Sequence, residues 1–544
     1  MSYANSVIKS QQAGGAFTLS TLPTATQMLG ESVGTIAYTT DGGLQLWNGS
    51  SWVGFVASSV FDKIRTSKAR AEAKNRFTGT GLQVGIEHPA LQPAANWAAS
   101  TVYYYGQAVT NGVNTYLSCG NSTTPGAGTS GTSAASGGPT GTGDGVVTDG
   151  SVLWYYAGLA PTAVTEAPTI TVSTTNPSAT YPTLFSPVGV SGFANTYNFK
   201  NNSFFITKGG PSISQATSSV ANGYWYTSPS GVGQQPAEIE FVTDAPSFVI
   251  ASYCVLGYGW TIFIDDVLAN PGVIMPTTGA TNNYFKIAFT ERKQRKISIL
   301  TDGSSGAPCT FAGVYLDNAS KCYAPLTNII KAHAVGDSME AGSGYYPILR
   351  SHTFFRRMAG LLGIESMSID GFGGTGFVNP GAGTIYGSSQ RVANAVSMSP
   401  QLLMFRTSQN DISYTPTQIT SAMLLTLQAY RAALPNAPIF LFGCWGVNNN
   451  SATAASANML ALENASYAAF QSFNDANSYW IPNNLDTNGP WMTGNGKNGS
   501  TTGIGNADAY VAPDGAHTSW SGGIYLAQRM ASAVATIIDN STTY

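Results

Sequence analysis

From Gly34 to Val53 apolar and polar residues alternate in three short runs, separated by Asp41-Gly42 and Asn48-Gly49. Both dipeptides supply the positive φ of tight hairpin turns, so the pattern predicts a three-stranded meander within residues 1–55. Residues Val56 to Phe77 shift to a helical pattern, and a helical linker is expected over 56–88. Residues 89–159 are rich in Gly, Ser and Thr and are bracketed by aromatics: Trp97, Tyr103, Tyr104, Tyr105 and Tyr116 on one side, Trp154, Tyr155 and Tyr156 on the other. The low-complexity middle, Asn121 to Gly145, reads as a long loop in a small β module.

Over 160–328 the period is two. Runs at Ser203–Thr207, Ala237–Val242, Thr261–Ile264, Tyr284–Phe289, Arg295–Leu300 and Phe311–Leu316 are parted by turn residues, which predicts a β-sandwich or jelly roll. Near Ala332 the pattern changes again, and strand-like apolar runs alternate with helical stretches at Thr353–Leu362, Pro416–Leu434, Ala454–Phe473 and Trp520–Ile538. The second of these helices has clear ends: Thr415 as N-cap, Pro416 in the first turn and Pro435 as the stop. Ile419, Met423, Leu427, Tyr430 and Leu434 share one face of it. Strand–helix alternation predicts an α/β, flavodoxin-like domain over 329–544, with a parallel sheet and a site at the carboxyl ends of its strands. The expected fold class is thus multidomain: small N-terminal β modules, a central sandwich and a C-terminal α/β domain.

Composition narrows the function. Only 9% of the 544 residues are charged and the net charge is −3, which argues against nucleic acid or an anionic membrane as partner. Six of the 24 basic residues (Lys63, Arg65, Lys68, Arg70, Lys74, Arg76) fall in the linker helix, as a solvated face or as a contact to a partner. The five cysteines (119, 254, 309, 322, 444) lack CxxC spacing and read as buried free thiols. Met1 to Pro23 has no apolar run of export-signal length, and no stretch of about 18 apolar residues suggests a membrane span. The aromatics of 89–159 either fill a small core or offer ring faces to sugars.

The chemistry lies in four segments of the last domain. Gly336-Asp337-Ser338-Met339 follows its first strand, Gly371-Phe-Gly373-Gly374-Thr375 its second and Ser408-Gln409-Asn410-Asp411 its third, while Asp514-Gly515-Ala516-His517 precedes the last helix. A serine hydroxyl needs a neighbouring base to act as nucleophile. Of the four histidines (88, 333, 352, 517), only His517 has a carboxylate three residues before it, close enough to fix the imidazole tautomer.

This set resembles the four sequence blocks of the SGNH (GDSL-type) hydrolases. The resemblance implies Ser338 as nucleophile, His517 as base and Asp514 as its partner, with an oxyanion hole made by the N–H groups of Ser338 and Gly374 and the side-chain amide of Asn410, and it implies no cofactor or metal. Two positions depart from the pattern: Ser408 stands where the family has glycine, and the asparagine usual in the second block is absent, with Asp370 nearby. Other readings of the same residues fall away. Gly371-x-Gly373-x-x-Gly376 matches a dinucleotide fingerprint, but Pro380 and Gly381 interrupt the helix it needs. Asp514 and His517 as a metal pair lack further ligands nearby. Arg406 is open between a substrate contact and a structural pair, and Asp411 is expected to support its loop.

The stretch from Gly34 to Val53, with Asp41-Gly42 and Trp47-Asn48-Gly49, also resembles a segment common in bacteriophage tail fibres and tailspikes. Together the two resemblances imply an esterase that removes O-acetyl groups from acetylated bacterial polysaccharide during host adsorption. Such a chain is expected to be made in the host cytoplasm without a signal peptide, to work in the virion, to contact other tail proteins through its N-terminal segment and to form a homotrimer. The alternatives are a glycan-binding adhesin whose hydrolase domain is inactive, and a bacterial acetylxylan-type esterase.

Overall fold

The structure is a computed structural model. It describes residues 36–38, 44–47, 52–55 and 60–65, and then 90–541 apart from 127, 144, 186–195, 198–203, 209–213, 216–224, 227–237, 280, 302–308, 326–329, 343–352, 447–450 and 452. The chain divides into two compact units, Met1–Lys68 with Ile538–Tyr544, and Ala69–Ile537.

The first unit holds a three-stranded antiparallel sheet, Ile36–Tyr38, Leu44–Trp47 and Trp52–Phe55, with Tyr38 opposite Leu44 and Trp47 opposite Trp52. The turn dipeptides Asp41-Gly42 and Asn48-Gly49 lie outside the described residues. Of the expected linker helix, Val60–Arg65 is described, and the rest lies outside the described residues.

The second unit opens with the aromatic module. Its four-stranded sheet runs Ala108–Asn111, Asn114–Asn121, Val152–Leu159, Val146–Asp149 in spatial order, and all its pairs are antiparallel. Tyr103, Val109, Tyr116, Val152 and Trp154 form a buried cluster on one face. Asp149 accepts from the indole N–H groups of both Trp97 (2.8 Å) and Trp154 (3.3 Å). Most of these rings are therefore core. The expected long loop is broken by a strand, Ser130–Thr132, which pairs with Val102–Tyr104. Low complexity hid it, because Ser-Gly-Thr has no apolar alternation to read.

Next come two largely antiparallel sheets that share one apolar core. Ile250, Phe285, Ile287, Phe311 and Val314 come from one sheet, and Ile239, Phe241, Ile262, Ile297 and Ile299 from the other. The strong period-two pattern follows from this arrangement, because each strand has one face inward.

The C-terminal domain is built on five parallel strands, numbered here within the domain: β1 Lys331–Gly336, β2 Ser366–Gly371, β3 Leu402–Arg406, β4 Ile439–Phe442 and β5 Ser478–Ile481. Their spatial order is β2-β1-β3-β4-β5. The helices are α1 Phe354–Leu362, α2 Ser389–Met398, α3 Pro416–Ala433, α4 Ala457–Phe473, the short α5 Ala507–Tyr510 and α6 Trp520–Asn540. Thr415 and Gln418 close a full capping box at the start of α3. Met423, Leu427 and Tyr430 of α3 pack on Val335, Leu403, Phe405 and Leu441 of the sheet. On the opposite face Phe355 of α1 meets Phe442 edge-on, with ring centroids 5.8 Å apart. Strand order reverses between β1 and β3, so a crevice opens at their carboxyl ends. All five cysteines are buried, and none is in a disulfide.

Candidate active site

The four segments are tied together by side-chain hydrogen bonds: His517 to Ser338, Ser408 to Asp337 and Asn410 to Thr375. The end of β1 turns through Asp337, whose side chain accepts the Met339 N–H at 2.9 Å and whose carbonyl accepts the Ala341 N–H at 3.0 Å. This tight turn lifts Ser338 clear of the sheet. His517 reaches it from the far end of the domain, with Ser338 Oγ 2.9 Å from His517 Nε2. On the other side of the ring, Nδ1 lies 2.8 Å from Asp514 Oδ2. A carboxylate only accepts, so Nδ1 carries the proton and Nε2 presents a lone pair to the serine hydroxyl.

Asp514 is itself fixed, because its Oδ1 accepts the N–H groups of Ala516 (2.9 Å) and His517 (3.0 Å). Partial burial pushes its pKa up, but the bonds from the His517 ring and from these two amides outweigh burial and hold it at about 2. It therefore remains a carboxylate wherever the base works. Its turn is pinned at both ends: Ala512 N–H donates to the His517 carbonyl (2.8 Å) and Ser519 N–H to the Tyr510 carbonyl (2.9 Å). Ser519 then caps α6 by accepting the Gly522 N–H at 2.9 Å.

The glycine loop after β2 passes beside the nucleophile. A Cβ added to Gly373 would lie 3.8 Å from Ser338 Cβ, so the peptide unit joining Gly373 to Gly374 borders the serine. Gly374 has φ +76° in a turn closed by Thr375 N–H to the Phe372 carbonyl (3.2 Å), a conformation that favours glycine. Among the described residues, the N–H groups of Ser338 and Gly374 have no acceptor within the chain. Asn410 lies in the 3-10 turn after β3, and its Nδ2 donates one hydrogen to the Thr375 carbonyl at 3.0 Å.

Beneath this surface lies a buried charge network. Arg406 donates through Nε to Glu340 Oε1 (2.7 Å) and through one terminal nitrogen to Glu340 Oε2 (3.1 Å), and that nitrogen lies 2.9 Å from Asp337 Oδ1. Of the two readings open in the sequence, Arg406 thus takes the structural pair, buried with both carboxylates. Glu340 also accepts the Asp337 N–H at 2.7 Å, closing the network onto the nucleophile turn. Burial pushes the Asp337 carboxyl up, but Arg406 and the Ser408 hydroxyl hold it below the ordinary range; burial raises Glu340.

Ser408 and Asp370 both find partners here. Ser408, in the glycine position, donates to Asp337 Oδ2 at 2.6 Å and accepts the Asn410 N–H at 3.1 Å, so it ties the third segment to the first. Asp370 pairs with Arg391 at 3.1 Å, and Arg391 also donates to the Gly336 carbonyl at 2.8 Å. Asp411 accepts three successive backbone N–H groups, from Phe377 (2.7 Å), Val378 (3.1 Å) and Asn379 (2.8 Å). Gly376 leaves room for that carboxylate, since a Cβ there would fall 2.4 Å from it. Glu463 plays the same part farther along, accepting the N–H groups of Asn483 (2.7 Å) and Asn484 (2.8 Å).

Glu340, Arg391 and Glu463 escaped the sequence reading, since their main partners, from about 20 to 66 positions away, leave no local signal. His333 is buried, with Nδ1 2.6 Å from Ser368 Oγ, and burial lowers its pKa to about 4, so it remains a neutral core residue. His88 and His352 lie outside the described residues. Among the described residues, no group of three or more His, Cys, Asp or Glu side chains is placed to hold a metal ion.

No family model matches the chain, and no curated protein matches it. Several solved structures are similar to it. A family two carbohydrate esterase from Clostridium thermocellum, solved in complex with cellohexaose, shares 14% identity over 57% of this chain and 94% of that one, with a TM-score of 0.43. An acetyl xylan esterase from the rumen bacterium Butyrivibrio proteoclasticus shares 12% over 63% and 98%, with a TM-score of 0.42. A salicylyl-acyltransferase from a tetracycline biosynthetic pathway shares 12% over 61% and 95%, with a TM-score of 0.43.

Proposed function

We propose that this chain is a serine esterase that removes O-acetyl groups from a bacterial surface polysaccharide, as part of a phage tailspike or tail fibre used in adsorption. One observation carries the chemistry: Ser338 Oγ, His517 and Asp514 stand in hydrogen-bonded series at 2.9 and 2.8 Å although 179 positions separate the serine from the histidine. Ser338 Oγ attacks the acetyl carbonyl carbon while His517 Nε2 takes the hydroxyl proton. The oxyanion is met by the N–H groups of Ser338 and Gly374 and the amide of Asn410. Loss of one such donor lowers turnover by about 10²–10³. Collapse of the tetrahedral adduct breaks the ester C–O bond, and His517 returns the proton to the departing sugar oxygen. Water, deprotonated by His517, then attacks the acyl-serine, releasing acetate and restoring Ser338.

The polysaccharide target rests on the resemblances of the hydrolase segments and the N-terminal segment, and on a chain poor in charge. Docking of residues 1–55 onto other tail proteins and a trimeric state belong to the same reading. Turnover of p-nitrophenyl acetate, lost in Ser338→Ala, tests the esterase. Acetate release from O-acetylated capsule or lipopolysaccharide, followed by NMR, tests the substrate, and light scattering tests the trimer. Equal rates for wild type and Ser338→Ala would leave a glycan-binding adhesin in its place.

A further inference from the structure

The sheet of the aromatic module is buried on both faces. Tyr116, Val152 and Trp154 turn into the module's own core, and the alternate residues Leu117, Cys119, Leu153, Tyr155 and Ala157 turn the other way. That second face packs in one cluster with Ala512, Trp520 and Ile524 of the hydrolase domain. Ala512 lies two residues before Asp514 and Trp520 three after His517, so the module grips both ends of the turn that carries the acid–base pair. The Trp520 ring meets the Tyr155 ring (centroids 6.0 Å apart, planes at 37°) and the Arg357 guanidinium, 4.5 Å from its centroid. Thr518, Ser519 and Trp520 also line a small cavity with Met339, the neighbour of the nucleophile.

The turn is closed on itself by the Asp514 carboxylate and by the bonds from Ala512 N–H to the His517 carbonyl (2.8 Å) and from Gly515 N–H to the Ala512 carbonyl (2.9 Å). Asp514 and Ala516 are exposed, while Ala512 and Trp520 are buried. The turn thus moves as one closed unit, and its buried ends, Ala512 and Trp520, are where the module packs against it.

We propose that the 90–159 module is part of the catalytic scaffold, with Tyr155 and Leu153 as positioning residues that hold the Asp514–His517 turn against Ser338. This rests on the esterase reading above. Loss of the Tyr155 ring lets Trp520 tilt and draws His517 out of line. A displacement of about 1 Å at a reacting group lowers rate up to about 10²-fold, so Tyr155→Ala in the full chain should lower kcat about 10- to 100-fold. KM should stay within about twofold, because no group that touches the ester is removed. Tyr155→Phe keeps the ring and should restore the rate. Trp154→Phe alters the module's own core and should lower its melting temperature without the loss in kcat.

Hydrogen exchange at the Ala512 and Ser519 amides should quicken in Tyr155→Ala and not in Trp154→Phe. Should Tyr155→Ala fail to fold, Leu153→Ala serves the same test from the next inward position of the strand. The proposal is overturned if these variants open the 512–520 amides yet keep wild-type kcat, or if Trp154→Phe loses as much kcat as Tyr155→Ala. If the wild type itself shows no turnover with any ester, the esterase reading fails. Exchange at Ala512 and Ser519 then still reports whether the module holds the turn, and unchanged exchange in Tyr155→Ala overturns the positioning role.

Discussion

Arg406→Met removes the cation that Asp337 and Glu340 share beneath the nucleophile. The arginine side chain is 1% exposed, and it makes two bonds to Glu340, one contact with Asp337 and one bond to the Thr407 carbonyl at 3.0 Å. Taking one partner from a buried ion pair costs about 3–5 kcal/mol, chiefly because the opposite charge is left without compensation. Against a total of about 5–15 kcal/mol this is a large fraction. For a domain of about 150–250 residues it corresponds to a fall in Tm of about 6–20 °C.

The loss should depend on pH. Glu340, already raised by burial, is the group that takes up a proton once Arg406 is gone. A carboxyl whose folded pKa lies above its unfolded value gives stability that is full below the unfolded pKa and is lost as pH rises through the folded one. Arg406→Met should therefore be closer to wild type at pH near 5 than near 7, and Arg406→Met with Glu340→Gln should recover part of the loss at neutral pH. Urea titrations at the two pH values measure this. A loss below about 1 kcal/mol at neutral pH, the scale of an exposed pair, would refute the reasoning, as would a loss identical at both pH values.

Other perturbations test separate parts of the site. Asp411→Ala frees three backbone donors of the loop that follows Gly374, and kcat for p-nitrophenyl acetate should fall about as far as on losing an oxyanion donor, about 10²-fold, with KM nearly unchanged. Ser408→Gly removes the hydroxyl that donates to Asp337 and accepts the Asn410 N–H, although glycine as an N-cap residue costs only about a few tenths of a kcal/mol. Turnover should stay within about tenfold, and a loss as large as that of Ser338→Ala would contradict the view of Ser408 as a tie between segments. Asp514, held at about 2 against an ordinary 3.8, stabilises the fold above 3.8 and loses that contribution as pH falls through about 2. The Tm gap between wild type and Asp514→Asn should thus narrow as pH drops below 3.8, and a constant gap down to about 2 would argue against the hydrogen bonds assigned to it.

The parts legible in the sequence were those with local periodicity or short-range end signals. The α3 helix begins at the proline expected, because Thr415, Pro416 and Gln418 act within one turn. The order of the four segments carried the site, since in a parallel sheet of this kind loops after successive strands converge on one edge. The supporting charges were illegible for the opposite reason. Glu340 follows the serine by two residues, but its partner Arg406 is 66 positions on and only the β1–β3 pairing joins them. Likewise nothing near Glu463 announces the loop amides it collects. The module surface did leave a trace. From Val152 to Ala157 every residue is apolar or aromatic, which for a strand means two covered faces, and that run marks a neighbour as well as a core.

The five buried thiols record which region of the chain loosens first. Cys119 lies in the seam between module and hydrolase, Cys254, Cys309 and Cys322 in the sandwich core, and Cys444 under α3 and α4. An alkylating reagent can reach each only when its surroundings part. Peptide mass spectrometry of the native chain under gentle heating would time those openings separately, without any engineered label. Early capture of Cys119 would mark the seam beside His517 as the first to yield.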